Sequence, residues 1–353
     1  MEHSHVVNQK EQYPGTLTSW QLDDQRVLFH CDNQVILALE VLSDRIVRFR
    51  YATEGFFYPD FSYAIDPNFQ IEPTKIRVID REHSVSVKTA KLEIRLQKEG
   101  LLTTIRDRMG KLLLKDDKGF HWERNEDWGT DLVFMSKQAH QEESYFGLGD
   151  KSCQLNVRGE RLENWVTDCF GYGSQTDPLY RAIPFYYGLR EGRAYGIFFD
   201  NSFRTFFDFA KERSNASSFW AHGGEMNYYF IYGPELMDVA EQYTDLTGRP
   251  ELPPQWAMGF HQCKWSYYPE SRVREIASEF RERKIPCDAV YLDIDYMDGY
   301  RCFTWHPDRF PQPEKLIEDL KRDGFHTVVI IDPGIKIDHE YDIFQQGLEG
   351  SHY

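Results

Sequence analysis

The sequence predicts a multi-domain β plus α/β chain, an N-terminal β-sandwich followed by the opening strands and helices of a parallel α/β segment. Three observations predict it. From about Gly15 to Phe230 short strand-like runs alternate with turn signals and show little helical periodicity. After Gly233-Pro234 the pattern becomes strand, helix, strand, helix, strand, which in a single sheet calls for parallel pairing and right-handed crossovers. Finally, the apolar run Ala289 to Leu292 ends abruptly in Asp293, Asp295 and Asp298. A strand with acids only at its C-terminal end resembles one strand of a parallel α/β barrel, whose active site lies at that end.

Val35 to Tyr51 alternates about a turn at Ser43-Asp44, and Val85, Val87, Leu92, Ile94 and Leu96 keep a period of two about Ala90-Lys91. Further strands are predicted at 101–107, 111–115, 194–200, 204–209 and 226–231. Many short strands broken by Gly, Asn and Asp suit a sandwich. Leu236, Val239, Ala240, Tyr243 and Leu246 form one helical stripe, closed by Gly248 and Pro250. Leu252-Pro-Pro254 then makes a stiff connector. Beyond it the pattern predicts strand 256–265, helix 269–283, strand 288–293, helix 313–322 and strand 326–331. The predicted domains are a tail at 1–14, the sandwich at 15–233, a helix and linker at 234–254, and the α/β segment at 255–353. A closed (β/α)8 barrel takes about 250 residues. Only three strands fit after Pro254, so this segment is either a small open sheet or part of a longer barrel.

The formal charge of −16 and pI near 5.2 argue against nucleic-acid and anionic membrane partners, which attract basic patches. A neutral or cationic ligand fits better. The six cysteines show neither a C-x-x-C pair nor regular spacing, so neither zinc nor a disulfide framework is indicated. The N-terminal stretch lacks an apolar signal-peptide core and no apolar run approaches 18 residues. A cytoplasmic protein is the expectation. Aromatic residues make up 15% of the chain, enough to stack on sugar faces and equally suited to a β core.

Asp293 and Asp295 are two apart, so on an extended strand both side chains would leave one face. They could serve a ligand, cap the next helix, or lie solvated in a loop. As a catalytic pair they fail: both project from one strand, whereas a retaining glycosidase needs carboxyl groups about 5–5.5 Å apart on different sides of the anomeric carbon. The sequence carries no G-x-S-x-G, H-E-x-x-H, P-loop or dinucleotide fingerprint. His222, His261 and His306 are isolated, although His261 on the first α/β strand could face a ligand. Trp256 and Trp265 read best as packing, and Trp305 reads equally as packing or as a stacking surface.

Seven pieces in order resemble glycoside hydrolase family 31, the family of retaining α-glucosidases and α-xylosidases. They are Tyr145-Phe-Gly-Leu-Gly-Asp150; Thr176-Asp-Pro-Leu-Tyr180 with Ile183-Pro-Phe-Tyr-Tyr-Gly188; and Leu252-Pro-Pro-Gln-Trp-Ala-Met-Gly-Phe260. Then follow Ile285-Pro-Cys-Asp288, Tyr291 to Asp298, Phe303-Thr304 with Phe310-Pro311, and Ile330-Ile-Asp-Pro-Gly-Ile335. The resemblance implies a galactose-mutarotase-like sandwich and the start of a (β/α)8 catalytic barrel, incomplete in this chain. It implies that Asp293 hydrogen-bonds the hydroxyls of the non-reducing sugar, that Ile294 and Ile335 line that subsite, and that Asp177 enters from a sandwich loop. Asp295 and Trp305 complete the expected substrate-binding set. Asp177 also suits a turn before Pro178, and Asp332 reads as turn chemistry before Pro333-Gly334.

The first motif ends in Asp150 where the family usually has Glu. The family's nucleophile motif, Trp-x-Asp-Met-Asn-Glu, is absent from the sequence. The resemblance therefore implies hydrolysis of α-glucosidic bonds at the non-reducing end of oligosaccharides by retaining double displacement, with no cofactor or metal. The nucleophile and acid/base are expected beyond Tyr353. The alternatives are α-xylosidase or α-galactosidase activity, or a non-catalytic carbohydrate-binding remnant.

Overall fold

The computed structural model describes residues 11–125 and 129–353. Two compact units divide the chain, Met1–Arg249 and Pro250–Tyr353.

In the first unit the predicted alternation becomes two antiparallel sheets. One holds eight strands in the order Leu17–Asp23, Arg26–Cys31, Ile36–Val41, Ile46–Ala52, Met226–Tyr232, Arg193–Phe199, Ala182–Arg190 and Ser144–Gly149. The other holds nine, in the order Arg161–Asn164, Thr205–Phe209, Ala216–Ala221, Thr130–Gln138, Leu112–Asn125, Thr103–Asp107, Leu92–Gln97, Ser84–Lys88 and Arg77–Asp80. Inward side chains of both sheets join one core in which Phe29, Phe49, Phe230, Val85, Ile94 and Phe207 are fully buried. Removal of that apolar surface from water is the main driving force for closing the two layers.

Within this core lies Lys137, 1% exposed, whose Nζ donates to Asp116 Oδ1 at 2.6 Å and to Tyr228 Oη at 2.9 Å. Burial pushes the Lys137 ammonium below its ordinary pKa, while the carboxylate beside it opposes that shift.

Helix Leu236–Thr247 begins with a capping box between Glu235 and Asp238. Its apolar stripe places Val239 and Leu246 against Phe185, Phe198 and Tyr229 of the eight-stranded sheet. The helix thus belongs to the packing of the first unit, which runs through Arg249.

The glycines of the Tyr145-Phe-Gly-Leu-Gly-Asp150 motif have a local cause. Gly147 and Gly149 have φ of 133° and 79°, and a Cβ at either would come within 2.5 Å of a backbone carbonyl oxygen of the neighbouring chain segment. Only glycine permits that approach.

In the second unit three strands, His261–Gln262, Ala289–Leu292 and His326–Val329, pair in parallel in that order. Helix Glu270–Glu282 links the first two and helix Pro313–Arg322 the last two, both helices within a residue of their predicted bounds. Val273, Ala277, Leu316 and Leu320 turn inward against Val290 and Leu292.

Two expectations are corrected. The predicted strand 256–265 is instead a 3-10 turn, Gln255–Met258, followed by the two-residue strand His261–Gln262. Pro254 supplies an extended cap, and the Trp256 carbonyl accepts hydrogen bonds from Gly259 N and His261 Nε2 at 3.1 Å, which diverts it from a strand ladder. The second correction concerns the acidic segment. Strand pairing stops at Leu292 and Ile294–Tyr296 forms a 3-10 turn, so Asp293 and Asp295 do not share a strand face. Helix Asp342–Glu349 was not anticipated; it is only eight residues long and holds Gly347 in its interior. No helix among the described residues is long and apolar enough to cross a membrane.

Candidate functional site

Parallel pairing brings the C-terminal ends of the three strands together, so the segments after Gln262, Leu292 and Val329 emerge from one edge of the sheet. Asp293 begins the middle segment. Its Oδ1 accepts from the Ile294 amide at 2.8 Å, capping the 3-10 turn and fixing the carboxylate at the strand end. The first and second strands pair side by side, and burial, then the Asp293 charge, raise the Cys263 thiol above its ordinary pKa.

Asp295 is 6% exposed and three side chains meet it. Trp265 Nε1 donates to its Oδ2 at 3.1 Å, Tyr300 Oη donates to Oδ1 at 3.2 Å, and Arg309 Nη1 lies 3.4 Å from Oδ1. The Asp295 charge raises the Tyr300 hydroxyl above its ordinary pKa. This carboxylate is a hub that orders the surrounding segment.

The predicted residues therefore divide. Asp293, half-buried Ile294 and the Asp295 hub share one segment, while half-buried Ile335 lies in the segment after the third strand. Trp305 is half-buried and packs against Tyr296 and Phe310 with ring centroids 4.8 and 6.0 Å away. That contact holds one side of the ring and leaves the rest of it exposed. Both ring nitrogens of His261 are engaged, by Tyr291 Oη and the Trp256 carbonyl at 3.1 Å each. Trp256 is packed as predicted, stacking on His326 at 4.1 Å.

Trp265 departs from its packing expectation, since it is 72% exposed with only its indole N–H tied down on Asp295. Its place just after the first strand was the available signal. Asp332 has φ 45° and its carbonyl accepts from Gly334 N at 2.6 Å, the turn chemistry expected of it.

The second and third segments are laced together. Tyr296 Oη donates to the Ile330 carbonyl at 3.1 Å, Cys302 Sγ to the Ile331 carbonyl at 3.3 Å, and Lys336 Nζ to the Gly299 carbonyl at 2.8 Å. Arg301 bridges Asp298 and Asp338, and Tyr341 Oη donates to the Cys302 carbonyl at 2.6 Å. The sequence pattern gave no sign of this lacing, because its acceptors are mostly backbone carbonyls.

Asp177 belongs to the first unit, and both its oxygens are occupied there. Lys151 Nζ donates to Oδ1 at 2.6 Å and the Glu163 amide to Oδ2 at 2.5 Å. Asp150 pairs with Arg181 at 3.0 Å. Among the described residues no group of His, Cys, Asp and Glu is placed to hold a metal ion.

Two family profiles match this chain: the glycosyl hydrolase 31 N-terminal galactose mutarotase-like domain over residues 36–208, and the glycosyl hydrolases family 31 TIM-barrel domain over residues 250–353. The chain belongs to glycosyl hydrolase family 31, of which it carries an N-terminal portion. It is 40% identical over 345 residues to alpha-glucosidase 2 of Bacillus thermoamyloliquefaciens, covering 96% of this chain and 42% of that protein. It is 34% identical over 226 residues to alpha-xylosidase 1 of Arabidopsis thaliana, 61% of this chain and 24% of that protein. Among solved structures, a Flavobacterium johnsoniae GH31 dextranase complexed with isomaltotriose superposes with a TM-score of 0.85 at 35% identity, over 96% of this chain and 40% of the dextranase. The chain spans less than half the length of each of these relatives.

Proposed function

We propose that this chain is the sandwich and substrate-gripping barrel edge of a retaining α-glucosidase that acts at the non-reducing end of oligosaccharides. The observation that carries the reading is Asp293, a capped carboxylate at the C-terminal end of the middle parallel strand of a family 31 barrel segment. A carboxylate there can accept hydrogen bonds from vicinal sugar hydroxyls and disfavour analogues lacking them. The 40% identity to an alpha-glucosidase supports glucose as the sugar.

In such an enzyme a carboxylate nucleophile displaces the leaving sugar, which a carboxylic acid protonates. Water, deprotonated by the same residue, then opens the glycosyl-enzyme. Inversion at each step gives net retention. Ile294 and Ile335 would line the apolar face of the sugar, and Asp177 would bind from its sandwich loop. Asp295 acts through Trp265 and Tyr300 and so positions groups around the sugar. The nucleophile and acid/base are assigned to residues outside these 353, because the family's nucleophile motif is not in the sequence. An α-xylosidase is the second reading, favoured by the identity to the Arabidopsis enzyme.

The 353-residue chain is expected to leave p-nitrophenyl α-glucoside and α-xyloside intact, and turnover above a mock preparation would return the search to Asp293, Asp295 and Asp332. In an active family 31 enzyme that contains this segment, Asp293→Ala is expected to lower kcat/KM on maltose about a hundredfold or more, since each lost hydroxyl contact is worth about 1–3 kcal/mol. Near wild-type activity with an intact fold would displace Asp293 from the subsite. A panel of α-glucoside, α-xyloside and α-galactoside separates the sugars.

A further inference from the structure

A cavity of about 490 Å3 opens within the first unit, lined by residues of the 61–64, 164–166 and 200–203 segments and by Thr205, among others. Its size lies in the range of small-ligand sites, about 300–1,000 Å3. The lining combines two features. One is a set of exposed rings: Trp165, Phe203 and Phe61 are 46%, 47% and 69% exposed. The other is polar: the Asn164 amide, the Asp200 carboxylate and the Ser62 hydroxyl.

Asn164 is the unusual member. It ends the edge strand Arg161–Asn164, is 3% exposed, and both its side-chain Oδ1 and Nδ2 are buried without a hydrogen-bond partner. An unsatisfied buried amide costs about 1–3 kcal/mol per polar atom, so native proteins rarely retain one without a use. It needs one donor and one acceptor, and a hydroxyl is both.

The rings beside it are fixed. Asn201 Nδ2 donates to the Gly223 and Glu225 carbonyls at 2.9 and 3.2 Å, and its Oδ1 accepts from Phe203 N at 2.8 Å. The Phe203 ring rests against Gly223, where a Cβ would come within 2.6 Å of it. The Arg204 guanidinium sits 5.8 Å from the Trp165 ring centroid and pairs with Glu163. Two ordered, half-exposed rings are a stacking surface at little entropic cost.

The charge balance selects the ligand class. No Lys, Arg or His is among the described residues lining the cavity, and Asp200 already accepts from Ser62 Oγ at 2.8 Å and Asn227 Nδ2 at 3.3 Å. The Arg204 guanidinium beside Trp165 is already paired with Glu163, so an anion meets no free counter-charge among the lining side chains. A neutral molecule with apolar faces and a rim of hydroxyls matches both features.

We propose that this cavity is a saccharide-binding site built wholly from sandwich residues, with Trp165 and Phe203 stacking on sugar rings and the Asn164 amide meeting their hydroxyls. It requires no hydrolysis and no residue of the second unit. The test titrates maltotriose and isomaltotriose into the 353-residue chain by calorimetry, and in wild type also follows the Trp165 indole N–H resonance, which is assigned by its loss in Trp165→Phe. Wild type is expected to bind with a shift of that resonance. By calorimetry, in the Asp293→Ala background so that sugar held at the barrel subsite does not contribute, Trp165→Ala and Phe203→Ala are each expected to weaken binding at least tenfold, and Met109→Ala, at a residue 77% exposed and outside the cavity lining, to leave it unchanged.

Asn164→Leu separates a ligand role from an idle amide. Leucine removes the unsatisfied atoms, so the melting temperature is expected to hold or rise while sugar binding falls at least tenfold; unchanged binding in this variant overturns the assignment of the amide. No shift of the Trp165 resonance at millimolar sugar overturns the site. Loss of binding in Asp293→Ala with retention in Trp165→Ala overturns it too, and leaves the barrel subsite standing. Concentration-dependent self-association abolished by Trp165→Ala, without sugar binding, would make the cavity a protein contact and also overturn it.

Discussion

Both oxygens of Asp177 are spoken for, and that changes what a substitution there does. The sequence suggests a surface-loop residue whose replacement by Asn would be neutral for stability. The structure pairs it with Lys151, whose side chain is 6% exposed, and with the Glu163 amide. Asp177→Asn removes the counter-charge of a buried ammonium and is expected to cost about 1–3 kcal/mol in a urea titration. A loss under about 0.5 kcal/mol would mean that the Lys151 pair contributes nothing to stability.

Glu93 gives a residue-scale pH dependence. It lies opposite Lys88 in the hairpin and accepts from Lys88 Nζ at 2.9 Å and Arg95 Nη2 at 3.0 Å. Burial works to raise its pKa, but the two cations prevail and hold it at about 2, against an ordinary 4.5. The folded state therefore binds its proton less readily than the unfolded chain. Its contribution is full above the unfolded value and lost as pH falls from about 4.5 towards 2. For a partly exposed pair, that contribution is about 0.5–1 kcal/mol. Thermal melts should show Glu93→Gln less stable than wild type at pH 7 and equal to it near pH 2; a constant gap would remove the ion pair as its cause.

At the scale of elements, helices 313–322 and 270–282 were legible because an apolar stripe repeats every three to four residues and a breaker follows. Central strands were legible for the same reason at a period of two. Strand Leu112–Asn125 was predicted only to Lys115, because Asp116, Asp117 and Lys118 interrupt the apolar pattern. Two of them are used within the fold: Asp116 meets buried Lys137, and Asp117 accepts from Ser136 Oγ at 3.2 Å. Burial of paired charge defeats a reading based on alternation.

The acidic segment divides along the same line. Asp293 was recognisable from its place at a strand end, whereas the role of Asp295 depends on Trp265, Tyr300 and Arg309, drawn from three separate stretches. Asp295→Ala should release the exposed Trp265 indole and loosen the 294–300 turns. The expected result is a Trp265 indole resonance shifted towards free solvent and faster hydrogen exchange at residues 294–300, with the strand 289–292 still protected. Unchanged exchange in those turns would remove Asp295 as the hub.

At the scale of the molecule, the boundary at 249/250 predicts different behaviour for the two parts. The first closes its own core between two sheets, and helix Leu236–Thr247 covers Phe185, Phe198 and Tyr229 on the outer face of one of them. A chain ending at Arg249 is expected to unfold in one cooperative transition. Ending it at Gly233 uncovers those three aromatics and should lower stability by at least about 2 kcal/mol. The second part differs, since His261–Gln262 and His326–Val329 each pair on one side only. In the same unit Ile331, Ile337 and Leu348 are 43%, 80% and 46% exposed. Unpaired strand edges with apolar neighbours template association. Residues 250–353 alone are expected to self-associate in sedimentation runs and to melt without a sharp transition. A monomer of that piece with a cooperative melt would show that its three parallel strands already make a finished sheet.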